Sequence, residues 1–223
     1  MSPIFPRCPP KTLAKYISIG WIIQPVMQRS ESVAVVTVFS ALVVGSDFAL
    51  APYPNVKLFD TLVFVAAFVY GFRVGAAVGV LSETIWGFVS PNGMAGIILP
   101  FLIGGELLFA FAGYAASRVW TNPRTNALSI QNLFLGALMA ICAFAWDFET
   151  NLATGLLAGA STVSALLWYE VYGIPFMFAH ETSDFVFGAL AAPPLILYTW
   201  QAMKGRTLRV LGAATKASPR GKE

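Results

Sequence analysis

The chain has 223 residues, of which 57% are hydrophobic and 11% charged, with a formal net charge of +3. A soluble domain carries about 45–50% apolar and about 25% charged residues, and a globular chain of this size needs polar side chains to cover its outside. The balance excludes a soluble enzyme, a disordered protein and a nucleic-acid-binding module, and a mean hydropathy of +0.70 predicts an all-α, polytopic membrane protein.

Residues 1–31 mix Pro3, Pro6, Pro9 and Pro10 with Lys11, Lys15 and an apolar patch around Tyr16, Trp21, Ile22 and Ile23. Gly20, Gln24 and Pro25 break that patch. It reads as a cytoplasmic, interfacial helix rather than a cleavable leader, which needs a longer unbroken apolar run. A membrane domain follows over 32–203, with six apolar runs near the length of about 20 residues that a crossing needs. The first covers 33–50 and stops at Pro52 and Pro54; the second covers 58–70 and ends at Gly71-Phe72-Arg73. The third, 74–89, ends in the turn signal Ser90-Pro91-Asn92-Gly93, and the fourth, 94–119, holds Pro100 in its first turns. A polar connector, 121–126, leads to the fifth at 130–146. The last covers 175–200, with a kink expected at Pro193-Pro194. Residues 204–223 form a basic tail.

Segment 152–174 is apolar enough around 156–168 for another crossing, yet rich in Gly, Ala, Ser and Thr. The cations decide. With six crossings and both termini cytoplasmic, every one of the fourteen lysines and arginines except Lys57 falls on the inner side, as the positive-inside rule asks. A seventh crossing would carry the basic tail outside, so 152–174 reads as a long outer loop, partly dipped into the bilayer or folded over the helices. Cys8 and Cys142 have neither a disulfide framework nor a metal-site spacing, and no metal or cofactor is expected.

The eleven acids follow another rule. Apart from Glu31 and Glu223 in the tails and Glu106 near mid-depth, all fall in the outer half of the membrane or beyond it. Ionisable groups inside a bilayer cost about 2.5–3.5 kcal/mol each at the centre and therefore face a cavity or one another. A polar chamber opening outward accounts for them. Gly75, Gly79 and Gly87 share an i+4 ridge with Glu83, which turns that carboxylate toward protein. Trp146, Asp147, Glu149 and Asn151 form a polar-aromatic set ending the fifth span. His180, Glu181 and Asp184 are placed on one side of the sixth. A second small-residue ridge, Thr37, Ala41 and Gly45, lies on the first span. It serves either packing inside the bundle or an exposed docking face.

Pro54-Asn55-Val56-Lys57 before an apolar span, then Gly71-Phe72-Arg73-Val74-Gly75-Ala76 and Gly79, resembles the substrate-binding (S) components of energy-coupling factor (ECF) vitamin transporters. Trp146-Asp147-Phe148-Glu149-Thr150-Asn151-Leu152 is similar to the stretch ending that family's fifth helix. Gly173-Ile174-Pro175-Phe176 followed by His180 is similar to the opening of its sixth. The resemblance spans 32–203. It implies a six-helix plasma-membrane protein that captures a vitamin or related micronutrient from outside. Its implied partners are a membrane coupling subunit and two ATPase subunits; by analogy it topples to release its cargo inward. The chain has no phosphate-binding loop of its own. The coupling subunit would meet the ridge Thr37/Ala41/Gly45. Asp184 stands about where the family commonly has Asn.

The expected substrate contacts are Asn55, Glu83, Trp86, Asn92, Glu106, Trp146, Asp147, Glu149, Asn151, His180, Glu181 and Asp184, with 51–57 and 90–93 as lid elements. So many acids favour a substrate with amines, hydroxyls or a positive charge: a thiamine-like cation, its pyrimidine precursor, or an amide-bearing corrinoid. Two other readings stay open. One is an intramembrane enzyme acting on a lipid or isoprenoid, with Asp147, Glu149, His180, Glu181 and Asp184 as acid–base groups. The other is a non-transporting assembly subunit.

Overall fold

The structure is a computed structural model, and it describes residues 27–120 and 129–203. The expected interfacial helix, the connector 121–126 and the basic tail lie outside the described residues. The described residues form seven α-helices and one 3-10 turn: α1 (Arg29–Leu50), α2 (Phe59–Tyr70), α3 (Phe72–Val89), the turn Gly96–Ile98, α4 (Leu99–Val119), α5 (Ile130–Leu157), α6 (Val163–Leu190) and α7 (Ala192–Met203). No strand occurs among the described residues. Among the described residues, four helices are long and apolar enough to cross a membrane, or five if α6 and α7, which meet at 43°, count as one broken span. The chain is an all-α membrane protein.

Local signals set the helix ends. At the start of α1 the Glu31 carboxylate accepts from the Gln28 N–H at 3.0 Å. Ser129 and Thr162 cap α5 and α6, their hydroxyls accepting from Asn132 N–H at 3.3 Å and Ala165 N–H at 3.2 Å, which satisfies amides that a helix leaves free at its start. Between α2 and α3 the chain turns at Gly71, whose φ of 97° is strained for any residue with a Cβ. Pro193 and Pro194 fall in the first turn of α7, where a missing N–H costs nothing. The kink expected there is present.

Helix α2 is the hub. Every residue from Phe59 to Val69 is buried, and α1, α3, α4 and α6 all pack around it. Its 12 residues reach about 18 Å, well short of the ~30 Å hydrocarbon core. The second expected span is an enclosed central helix, too short on its own to reach across that core. Around it α1 buries only a narrow stripe, Ser40, Val43 and Asp47. Helix α3 buries Val74, Gly75, Val78, Gly79, Ser82, Glu83 and Gly87. The glycine ridge works as its spacing predicts: a Cβ on Gly75 would run into the Ala67 backbone, and one on Gly79 would lie 2.9 Å from Glu106 Cβ.

The long outer loop expected at 152–174 is overturned. Helix α5 runs on to Leu157 and α6 begins at Val163, so only a short turn through Gly159 (φ 88°) joins them, and Pro175 sits inside α6 rather than opening it. The small residues there are contact points. A Cβ on Gly155 would meet Tyr169 at 3.0 Å, and one on Gly173 would strike Asn151. Small residues let two membrane helices approach closely, and the same composition imitates a loop. Each of these helices has 28 residues, about 42 Å, so the hairpin is longer than the bilayer core or tilted in it.

Candidate functional site

At the end of the bundle where α1 and α3 stop and α4 begins, a cavity of about 200 Å³ lies under residues 51–57 and the turn 90–95. Its charged lining is Asp47 from α1, Glu83 from α3 and Lys57 from the loop; its aromatic walls are Trp86 and Trp146, with Tyr53 from the loop. The buried stripe of α1 turns Asp47 inward, and the glycine ridge of α3 does the same for Glu83. Phe48 fixes Trp86 edge-to-face at 5.1 Å. Trp146 is pinned to α4, its Nε1–H donating to Leu102 O at 3.0 Å. Gly105 leaves room for the indole, which a Cβ at that position would overlap.

Lys57 is the only cation at this end among the described residues; Arg29, Arg73 and Arg118 belong to the opposite one. The residue is partly exposed, but its ammonium reaches inward to 4.1 Å from the Trp146 ring centroid, a cation–π contact. Burial alone would lower its pKa. The carboxylates of Asp60, Glu83, Asp47 and Glu106 outweigh burial and hold it above the ordinary lysine value. The loop that carries Lys57 is tied to α6: Asn55, in the left-handed region at φ 55°, donates from Nδ2 to Phe176 O at 3.4 Å, and the Ser183 hydroxyl donates to Asn55 O at 3.4 Å.

A second polar group is sealed in the core. His180 on α6 is fully buried, with Nε2 2.9 Å from Asp60 Oδ2 on α2 and Nδ1 3.0 Å from Asp147 Oδ2 on α5. Asp184, one turn along α6 and fully buried, brings Oδ2 to 3.8 Å from His180 Nε2. Neither of its carboxylate oxygens has a hydrogen-bond donor. Glu106 on α4 is also fully buried, and neither of its carboxylate oxygens has a hydrogen-bond donor. Trp146 touches both sites: it lines the cavity, and its ring centroid lies 5.1 Å from that of His180.

The structure thus divides the residues expected from sequence. Asn55, Glu83, Trp86, Asn92 and Trp146 line the cavity. Glu106, Asp147, His180 and Asp184 form the enclosed core. Three lie apart: Glu149 is exposed beside Gly104, Asn151 donates to Glu170 Oε2 at 3.4 Å, and Glu181 is partly exposed. Glu181 does not share the face of His180 and Asp184, because adjacent helix positions point about 100° apart. Thr37, Ala41 and Gly45 are exposed along α1, and a Cβ on Gly45 would meet nothing within 4 Å. That ridge is a free face rather than an internal contact. Sequence reasoning left out three residues that the geometry makes central, Asp47, Lys57 and Asp60. Asp60 had a usable signal, an acid at the head of a wholly apolar run, and Lys57 had another, as the lone cation expected outside.

The chain matches no family model, no curated protein and no solved structure.

Proposed function

We propose that this protein is the substrate-capture subunit of an ECF-type transporter, taking a small amine-bearing or cationic micronutrient into the cavity between α1, α3 and α5. The observation that carries the reading is the pairing of two carboxylates, Asp47 and Glu83, with two indole walls, Trp86 and Trp146. Carboxylates neutralise a positive ligand, and tryptophan faces attract it through the ring quadrupole. Lys57 already holds such a position over Trp146. A cavity of about 200 Å³ is below the roughly 300–1,000 Å³ of drug-sized sites, which favours one or two rings over a corrinoid.

In this reading the protein crosses the plasma membrane six times, with α2 as the short second crossing, α6 and α7 together as the last, and both termini cytoplasmic. Arg29, Arg73 and Arg118 at the end opposite the cavity support that orientation. The exposed ridge Thr37/Ala41/Gly45 is the docking face for a membrane coupling subunit that two ATPase subunits drive. Small residues on a lipid-facing helix support close association with another helix.

The test is purification in mild detergent and mass spectrometry of whatever small molecule the chain retains. A polar, amine-bearing compound should be recovered and should quench tryptophan fluorescence on rebinding, at least tenfold more weakly in Glu83→Gln. Recovery of no such compound, or unchanged binding in Glu83→Gln, refutes the proposal. Cysteine labelling of residue 92 from outside and of residue 124 only from inside tests the topology, and the reverse pattern refutes it.

A further inference from the structure

The enclosed core holds a feature that substrate capture does not use. Asp184 buries a carboxylate with no donor to either oxygen, and an unsatisfied buried carboxylate is costly enough to call for an occupant. Its neighbours supply the rest of a coordination set. Donor atoms of Asp60, His180 and Asp184 all lie within 4.8 Å of one another, with His180 Nε2 2.9 Å from Asp60 Oδ2 and 3.8 Å from Asp184 Oδ2. Donors around an ion at bond lengths of about 2.0–2.2 Å stand roughly 3–3.5 Å apart. Side-chain shifts of about an ångström or less therefore close the set.

We propose that Asp60, His180 and Asp184 form a binding site for a divalent first-row transition metal, buried where α2 meets α6. One imidazole nitrogen with two carboxylate oxygens suits such an ion better than calcium or magnesium, which prefer oxygen donors alone. Asp147 supports the set without touching the ion. At 3.0 Å from Nδ1 it accepts the Nδ1–H and leaves Nε2 free to ligate, as carboxylate partners of metal-bound histidines do. The dication balances the charges of Asp60 and Asp184. The site is independent of the transport proposal, since none of its ligands lines the cavity.

His180 is the only histidine in the chain, which makes the test direct. The full-length protein, with any affinity tag removed and stripped by chelator, is titrated with cupric ion alone and followed by pulsed electron paramagnetic resonance. Modulation from one coordinated imidazole, at one ion per chain, is the expected result. Asp184→Asn should weaken binding at least tenfold, and Asp147→Asn by about ten- to a hundredfold. Glu181→Gln, on the outward face of α6, should leave it unchanged. Copper that binds without imidazole modulation, or no bound copper, overturns the proposal on the wild-type protein, whatever the variants do. Binding that is indifferent to Asp184→Asn overturns it as well.

Discussion

Replacing Lys57 with methionine keeps the length of the stem and removes the charge. The ammonium sits 4.1 Å from the centroid of Trp146, a contact worth about 0.5–1 kcal/mol when exposed and about 2 when desolvated. It is also the cation that Asp60, Glu83, Asp47 and Glu106 share. The carboxylates act on it through space rather than as a direct ion pair, which adds at most about 1 kcal/mol. A loss of about 1–3 kcal/mol is the expected sum. Equilibrium unfolding in mild detergent, read by tryptophan fluorescence, measures it. The pH dependence follows from the sign of the shift: because the folded pKa is raised, the wild-type contribution is complete below the unfolded lysine value of about 10.4. It is lost only as pH rises through the folded value. The wild type should therefore keep this contribution as pH rises to about 9, whereas Lys57→Met should recover in acid, where carboxylates take up protons. Adding Asp47→Asn to Lys57→Met should restore about half of the loss, the mark of a coupled pair. A Lys57→Met protein within about 0.5 kcal/mol of wild type at pH 7, or a double variant no more stable than the single, would show that Lys57 is not the countercharge.

Two further substitutions probe the core. His180→Ala strips both Asp60 and Asp147 of a fully buried partner and should cost about 3–5 kcal/mol in the same unfolding assay; a cost below about 1 kcal/mol refutes the buried triad. Gly75→Ala puts a methyl against the Ala67 backbone and should destabilise by about 1–3 kcal/mol or more, while Gly45→Ala on the open face of α1 should be neutral or slightly stabilising through helix propensity. Equal effects of the two would contradict the packing of α3 on α2.

What the sequence reveals and what it withholds differ by dimension. Position along the chain is legible: the turn at 90–93, the break at Pro193-Pro194 and the inward face of Glu83 all follow from local chemistry or from i+4 spacing within one helix. Composition misleads where one residue type serves two ends. Gly155 and Gly173 read as a loop, yet they are contacts between α5 and α6. That α2 lies enclosed at the centre is not legible either, because an enclosed helix and a lipid-facing one are both apolar throughout. Azimuth between helices is hidden altogether. Nothing in the sequence says that Asp60 on α2 and Asp147 on α5 approach the two nitrogens of the same imidazole, or that Glu181 turns away from them. A chamber expected to gather the acids together therefore resolves into an open cavity holding Asp47 and Glu83 and a closed core holding Asp60, Glu106, Asp147 and Asp184. Lys57 reaches into the first, and the imidazole of His180 joins Asp60 and Asp147 in the second. With Trp146 in contact with both, a ligand that moves that indole must also disturb the surroundings of His180.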